Sequence, residues 1–219
     1  SGQVLLQHRA KSQAPRGAQR QQFDFPVYPC TPDGLYDIVL SPAPPKGPVL
    51  GALRIVGTAP LPKVGPPQVV LDARLGGAVT LVGYTLGNTT GEDSTKVEPG
   101  ESLLIDLYWR AERKLEQDYT VFTHLLGEAY NPKTQGPVWA QHDSQPAEGG
   151  YPTTQWLVGN LIVDRHTMPL AGDAPPGLYR VEVGMYTLQD GQRLTVSSAD
   201  GQPLGDRVLL DTPVYVSQR

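Results

Sequence analysis

The chain of 219 residues contains one cysteine, Cys30. A single thiol cannot form an internal disulfide, and it cannot build a zinc site that needs several cysteines. No apolar run approaches the roughly 18 to 20 residues that cross a bilayer as a helix. The chain also begins Ser1-Gly2, without a methionine or a signal peptide, and we interpret it as an excised fragment or a processed product.

No strong excess of charge of either sign is present. The chain has 18 basic and 22 acidic residues and a formal net charge of -4. A nucleic-acid binder carries a basic footprint that this composition does not provide, so no nucleic-acid partner is expected. The basic, acid-free stretch 8–20 is the local exception, and we interpret it as a solvated leader or linker, with a docking arm as the alternative.

Helix signals are scarce, whereas turn and strand signals are plentiful. The 24 glycines and 22 prolines are spread along the chain and punctuate short apolar segments. In 103–109, Leu103, Ile105, Leu107 and Trp109 alternate with other residues, as in a half-buried strand. Further strands are predicted at 35–40, 49–56, 79–86, 119–126, 138–143, 161–168, 179–185 and 208–216, and a loop at 111–117. This pattern predicts an all-β fold, an antiparallel β-sandwich of immunoglobulin-like or jelly-roll type.

The sequence divides into a β-rich N-terminal segment with a Pro-rich linker, residues 1–67, and a sandwich module, residues 68–219. Residues 32–40 (Pro-Asp-Gly-Leu-Tyr-Asp-Ile-Val-Leu) parallel residues 175–183 (Pro-Pro-Gly-Leu-Tyr-Arg-Val-Glu-Val), and an apolar segment follows each. This similarity raises the hypothesis that the first segment closes a preceding, similar module, while a chance likeness stays open. Residues 58–67 are rich in proline and read as a linker.

Two motifs are better explained by the fold than by chemistry. The Pro-Gly-Leu-Tyr element around Tyr179 resembles the tyrosine corner of sandwich folds, and Tyr36 stands in the same context. His142, Asp143 and Ser144 contain the residue types of a hydrolase triad, but neighbours on a strand point to opposite faces and cannot meet. No nucleophile elbow, phosphate loop or distinctive carboxylate pair is present. We therefore expect no catalytic residues and no cofactor in this chain.

The three histidines His124, His142 and His166 are weak candidates for a metal site together with Asp143 or Asp164. Their spacing matches no metal motif, so the more common role of histidine in strand packing stays open beside it.

A tentative sugar site is formed by aromatic and polar residues that lie close together in the sequence. Its candidate residues are Trp139, Gln141, Asp143, Tyr151 and Trp156. Aromatic faces can stack on sugar rings, while amide and carboxylate groups bind hydroxyls. This hypothesis requires the aromatic side chains to be exposed on one surface. The alternative is that the tryptophans belong to the core or anchor a loop.

Several motifs together resemble a known family. They are Leu-Val-Gly-Tyr at 81–84, Leu-Tyr-Trp-Arg-Ala at 107–111, Ala-Gln-His-Asp-Ser-Gln-Pro at 140–146, Gly-Tyr-Pro-Thr-Thr-Gln-Trp at 150–156, Val-Asp-Arg-His at 163–166, Asp-Ala-Pro-Pro-Gly-Leu-Tyr-Arg-Val-Glu-Val-Gly-Met-Tyr at 173–186 and Gly-Gln-Arg-Leu at 191–194. Residues 71–216 thereby resemble the C-terminal extracytoplasmic domain of bacterial membrane glycosyltransferases of the dolichyl-phosphate-mannose–protein mannosyltransferase type, found in filamentous green bacteria. Asn160 departs from the pattern, because an acidic residue is expected after Gly159.

The resemblance implies an extracytoplasmic domain attached to a membrane-embedded parent protein, whose transferase chemistry lies outside this chain. We therefore expect a non-catalytic accessory domain that recognises carbohydrate or a cell-envelope acceptor, with a glycan and the membrane portion of the parent as partners. A structural or protein-interaction sandwich without a sugar site is the alternative, and an enzyme with a His/Asp metal site is the third.

Overall fold

The computed structural model describes residues 34–39, 49–55, 65–88 and 95–217. The chain divides between Lys63 and Val64 into two units. In the first unit, strands β1 (Gly34–Val39) and β2 (Val49–Ile55) form an antiparallel pair. No described residue lies in a helix that is long and apolar enough to span a membrane.

The second unit is a β-sandwich, as the strand pattern predicted. Its strands are β3 (Val69–Leu75), β4 (Val79–Asn88), β5 (Lys96–Val97), β6 (Ser102–Ala111), β7 (Tyr119–Asn131), β8 (Gly136–Ser144), β9 (Leu161–Pro169), β10 (Gly177–Thr187), β11 (Val196–Ser197), β12 (Pro203–Gly205), β13 (Val208–Leu209) and β14 (Val214–Val216). The only helical turn among the described residues is the short 3-10 helix Thr153–Gln155.

The strands form two sheets, which we call the front and back sheets. The front sheet has the order β5-β14-β10-β7-β8, with β13 also paired to β10, and the back sheet has the order β12-β11-β3-β4-β6-β9. Every described pairing is antiparallel except β5 with β14. At one side of the sandwich, β8 of the front sheet and β9 of the back sheet are both edge strands, and they contact each other.

The core fills the space between the sheets with the alternate residues of the long central strands. The predicted apolar face of β6 is confirmed, because Leu103, Ile105, Leu107 and Trp109 are all fully buried. On β10, Val181, Val183 and Met185 face the same interior, and they too are completely buried. Burial at period two is what each sheet needs to keep one apolar face inward.

Two local predictions differ from the structure, and a third is confirmed. Strand β3 was not predicted, although its burial alternates along the whole of Val69–Leu75. The strand predicted at 208–216 is two short strands, β13 and β14, because residues 211–213 leave the ladder with β10. The loop predicted at 111–117 is confirmed, because residues 112–118 form neither a helix nor a strand.

The tyrosine-corner interpretation of Tyr179 is confirmed. Its side chain is 3% exposed, and its hydroxyl donates to the carbonyl of Pro175 at 2.7 Å. The side chain of Tyr36 lies outside the described residues.

The predicted repeat has a counterpart in the strand registers of the two units. In β1 and β2, Gly34 pairs with Ile55, and in β10 and β14, Gly177 pairs with Val216, so each pairing begins at the glycine of the repeated element. The domain assignment itself, including a truncated preceding module, stays a prediction.

Candidate functional site

Two histidine–carboxylate clusters lie on opposite faces of strand β8. His142 and Asp143 are consecutive on this strand, and they bond in opposite directions: His142 to His166 on β9, and Asp143 to His124 on β7. The prediction that these neighbours could not act together as a triad is confirmed by this geometry. We call the two groups the outer cluster and the inner cluster.

The outer cluster comprises Glu182, His124, Asp143 and Tyr186, on the face of the front sheet that points away from the core. Adjacent strands place Glu182 opposite His124. The His124 imidazole bridges two carboxylates, with Nδ1 2.9 Å from Oε1 of Glu182 and Nε2 3.1 Å from Oδ1 of Asp143. Arg207 Nη1 lies 3.1 Å from the second oxygen of Glu182. That contact makes no well-directed hydrogen bond, so the attraction is chiefly coulombic.

The electrostatics of the outer cluster favour a charged imidazolium. Burial acts to lower the pKa of His124, but hydrogen bonds to Asp143 and Glu182 and the charges of both carboxylates raise it to about 9. Burial acts to raise the pKa of Glu182, but the hydrogen bond from His124 and the nearby charges of Arg207, His124 and Arg193 lower it overall. The cluster therefore holds two carboxylates and one imidazolium in fixed positions at neutral pH.

Part of the outer cluster is open to solvent. Asp143 has 31% of its side chain exposed, and Gln141, which pairs with His124 across the strands, is also exposed. Burial, and then the charge and hydrogen bond of Asp143, raise the pKa of the half-buried Tyr186. A carboxylate, an amide and a phenol thus meet on one rigid sheet face.

The inner cluster connects the edge strands of the two sheets. Its centre is a contact of 2.9 Å between Nδ1 of His142 on β8 and Nδ1 of His166 on β9. Nε2 of His166 lies 2.8 Å from Oδ2 of Asp164, and the side chains of both residues are completely buried. On the solvent side, Nε2 of His142 lies 3.2 Å from Oε1 of Glu148, which is 69% exposed.

The loop after β8 is bound to this inner cluster. The amide of Ala147 donates to Oδ1 of Asp164 at 2.9 Å. Ala147 and Glu148 both have a left-handed backbone, with φ of 54° and 53°. Residues with a Cβ rarely adopt this conformation, so the hydrogen bond and the contact of Glu148 with His142 hold a strained turn in place.

The hypothesis of a metal site built from all three histidines is wrong. His124 lies on the outer face of the front sheet, whereas His142 and His166 lie on its inner side. No three His, Cys, Asp or Glu side chains in the described part of the chain are arranged to hold a metal ion.

The prediction that the aromatic residues of the tentative sugar site are exposed is also wrong. Trp139, Tyr151 and Trp156 are only 7%, 3% and 3% exposed, so none offers a face on which a sugar ring could stack. The indole of Trp139 donates to the carbonyl of Ala129, and that of Trp156 donates to the carbonyl of Tyr151, both at 3.0 Å. Trp139 thus joins β8 to β7 in the core and Trp156 anchors the loop before β9, which agrees with the alternative interpretation.

Gln141 and Asp143, the polar members of the predicted site, do reach the outer surface. Their structural neighbours Glu182 and Tyr186 were not predicted with them. Both lie on β10, a strand that is distant in sequence but adjacent to β7 in the sheet. The alternation of Arg180, Glu182 and Tyr186 with apolar residues along β10 is the signal in the sequence that assigns these side chains to the outer face of the front sheet.

Comparison with known proteins gives little further guidance. No protein-family model matches the chain, and no curated protein matches it in sequence. The resemblance to the mannosyltransferase-type domain therefore has no support from either comparison. Fourteen chains of known structure match. One is the crystal structure of the C-terminal domain of wzt, with 13% identity and a TM-score of 0.44 over 70% of this chain and 83% of that chain. A likeness at this level transfers neither a site nor a function.

Proposed function

We propose that this chain is a non-catalytic accessory domain that recognises carbohydrate through the outer face of its front sheet. The observation that carries the proposal is the group of Gln141, Asp143 and Tyr186, which places an exposed amide beside a partly exposed carboxylate and phenol on the outer face. Sugar hydroxyls act as both donors and acceptors, and a site that binds them needs such groups in fixed positions.

His124 acts as a positioning residue in this proposal. Its imidazolium is anchored on the buried carboxylate of Glu182 and donates to Asp143. Asp143 also accepts a hydrogen bond from the Tyr186 hydroxyl, so the carboxylate and the phenol hold each other in position. A carboxylate that is already oriented loses little conformational entropy when it binds a ligand, which favours recognition over a freely rotating side chain.

A binding experiment on the full chain tests the proposal. The probe is an array of mannose-, glucose- and N-acetylhexosamine-containing oligosaccharides, followed by calorimetric titration of any sugar that binds. Loss of a hydrogen bond to a charged group costs about 1.5–3 kcal/mol, so Asp143→Asn should weaken binding by at least about tenfold. Gln141→Ala and Tyr186→Ala should weaken it as well.

Asp72→Asn is the matched control, because Asp72 is an exposed aspartate on the back sheet whose nearest cation is 3.9 Å away. Tryptophan fluorescence verifies that each variant is folded. If no sugar binds, or if Asp72→Asn and Asp143→Asn bind it equally, the carbohydrate proposal is refuted. The structural or protein-interaction role then takes its place.

We propose, in addition, that the domain is extracytoplasmic and attached to a membrane glycosyltransferase, which would supply the chemistry. The support for this context is the motif resemblance of residues 71–216 described above. Protease treatment of intact cells that produce the native protein tests it. Digestion of the domain without cell lysis is expected, whereas full protection until lysis would contradict an outside location.

A further inference from the structure

The inner cluster has features that sandwich packing does not require. Three polar side chains, His142, Asp164 and His166, occupy inward positions of the two edge strands. The partners of His166 and Asp164 on β6 are the buried Ile105 and Leu107. Together with Glu148 they form an unbroken series from a fully buried carboxylate to solvent. We propose that this series is a proton-operated clasp, which joins β8 to β9 and opens when both imidazoles are protonated.

The positions of the protons follow from the partners of each nitrogen. Nε2 of His166 faces the Asp164 carboxylate, which only accepts, so this nitrogen donates. The two Nδ1 atoms lie 2.9 Å apart, and a hydrogen bond at that distance needs one proton between them. Nε2 of His142 faces Glu148, so it is the position that gains a proton when the pair becomes singly charged.

The closed clasp therefore tolerates a neutral or a singly protonated pair. A second added proton places an N–H on both Nδ1 atoms, and two donors then face each other at a distance that admits only one hydrogen. Two positive charges would also lie beside each other. Either effect requires the rings to separate, and His142 is the ring that can move, because 23% of its side chain is exposed while His166 has none exposed.

The other groups around the pair do not relieve this conflict. On β7, the inward neighbours are uncharged, and Thr123 donates to the carbonyl of His142. On β6 the neighbours are apolar. On β9, Asp164 bonds Nε2 of His166, and on the loop Glu148 contacts Nε2 of His142, so neither carboxylate reaches the Nδ1 atoms that must separate. Asp143 and Glu182 lie on the opposite face of the front sheet with His124.

Opening has a structural consequence for the adjoining loop. When His142 moves away, Glu148 loses the contact that helps to hold its left-handed backbone, and the bond from Ala147 to Asp164 alone still ties this turn to β9. Because Asp143 follows His142 on β8, displacement of this strand also displaces the carboxylate of the outer cluster. That last coupling rests on the proposed function, whereas the clasp itself does not.

Two measurements on the full chain test the clasp as the pH is lowered from 8 to 5, the range in which protein imidazoles commonly gain protons. Nitrogen-15 NMR of the imidazoles counts the N–H groups on His142 and His166. Hydrogen exchange, corrected for the intrinsic pH dependence, follows the backbone amides of residues 138–150. We expect amide protection to fall at least about tenfold when the second proton is bound, and to stay constant before that.

His142→Gln is the test variant, since an amide can still bond to His166 but leaves only one imidazole to be charged. Its protection over residues 138–150 should not change in this pH range. His124→Gln is the control, because it alters the outer cluster and should retain the wild-type fall. The clasp is refuted if both rings become doubly protonated without loss of protection, or if His142→Gln shows the same fall. It is also refuted if the pair is never doubly protonated before the whole domain unfolds.

Discussion

The charge state of His124 makes the stability of the sandwich depend on pH at the alkaline side of neutrality. An imidazole in an unfolded chain has a pKa near 6.5, and in the folded protein the pKa of His124 is about 9. The folded state therefore holds a proton more tightly than the unfolded state does. The resulting stabilisation is fully present below about pH 6.5 and is lost as the pH rises through about 9.

The magnitude follows from the size of this shift. One pKa unit corresponds to 1.36 kcal/mol, so the difference between 6.5 and about 9 gives an upper value of about 3 kcal/mol. Because Asp143 is partly exposed and solvent screens its charge, we expect the free energy of unfolding to fall by about 2–3 kcal/mol between pH 6.5 and 9.5. For a unit of this size, Tm should fall by about 5–10 °C.

Tryptophan fluorescence is a suitable assay, because all three tryptophans, Trp109, Trp139 and Trp156, are buried in the sandwich unit. Urea titrations at several pH values then report the unfolding of this unit within the intact chain. His124→Gln should be less stable than the wild type at pH 6.5, and its stability should be nearly constant up to pH 9.5. A flat wild-type profile, or the same slope in His124→Gln, would show that the imidazolium is not held as the geometry requires.

Three further substitutions have expected outcomes in the same urea assay at pH 7. Tyr179→Phe should cost about 1–2 kcal/mol, because the carbonyl of Pro175 loses its buried donor; an unchanged midpoint would contradict a stabilising tyrosine corner. Gly184→Ala should cost about 1–3 kcal/mol, since a Cβ there would lie 2.4 Å from the ring of Phe122; wild-type stability would mean that the ring moves aside freely. Trp156→Ala should cost about 3–5 kcal/mol through the cavity that it leaves, and little loss would show that the loop does not depend on this anchor.

The sandwich could be predicted from the sequence because period-two burial is a local property. Apolar and other residues alternate in the amino-acid sequences of β6 and β10, because each strand turns one apolar face toward the core. It does not locate a break within a strand. The segment predicted as one strand at 208–216 is two short strands, because residues 211–213 leave the ladder with β10.

The two clusters could not be predicted in the same way, because they depend on strand order. His124 meets Glu182 only because β10 lies beside β7, and His142 meets His166 only because the sheet edges β8 and β9 meet. The tryptophans illustrate the opposite error. Aromatic and polar residues that are close in sequence suggested an exposed groove, but an indole with a backbone partner for its N–H is also well suited to a buried loop anchor.

Stability alone does not account for the inner cluster. A buried polar network is favourable only when every member is satisfied, and apolar residues of similar volume at the same positions are often equally stable or more so. His142, His166 and Asp164 occupy inward positions that elsewhere in the same strands hold residues such as Ile162 and Met168. The proposed clasp gives these positions a property that apolar side chains cannot supply, which is a response to pH at the seam between the sheets.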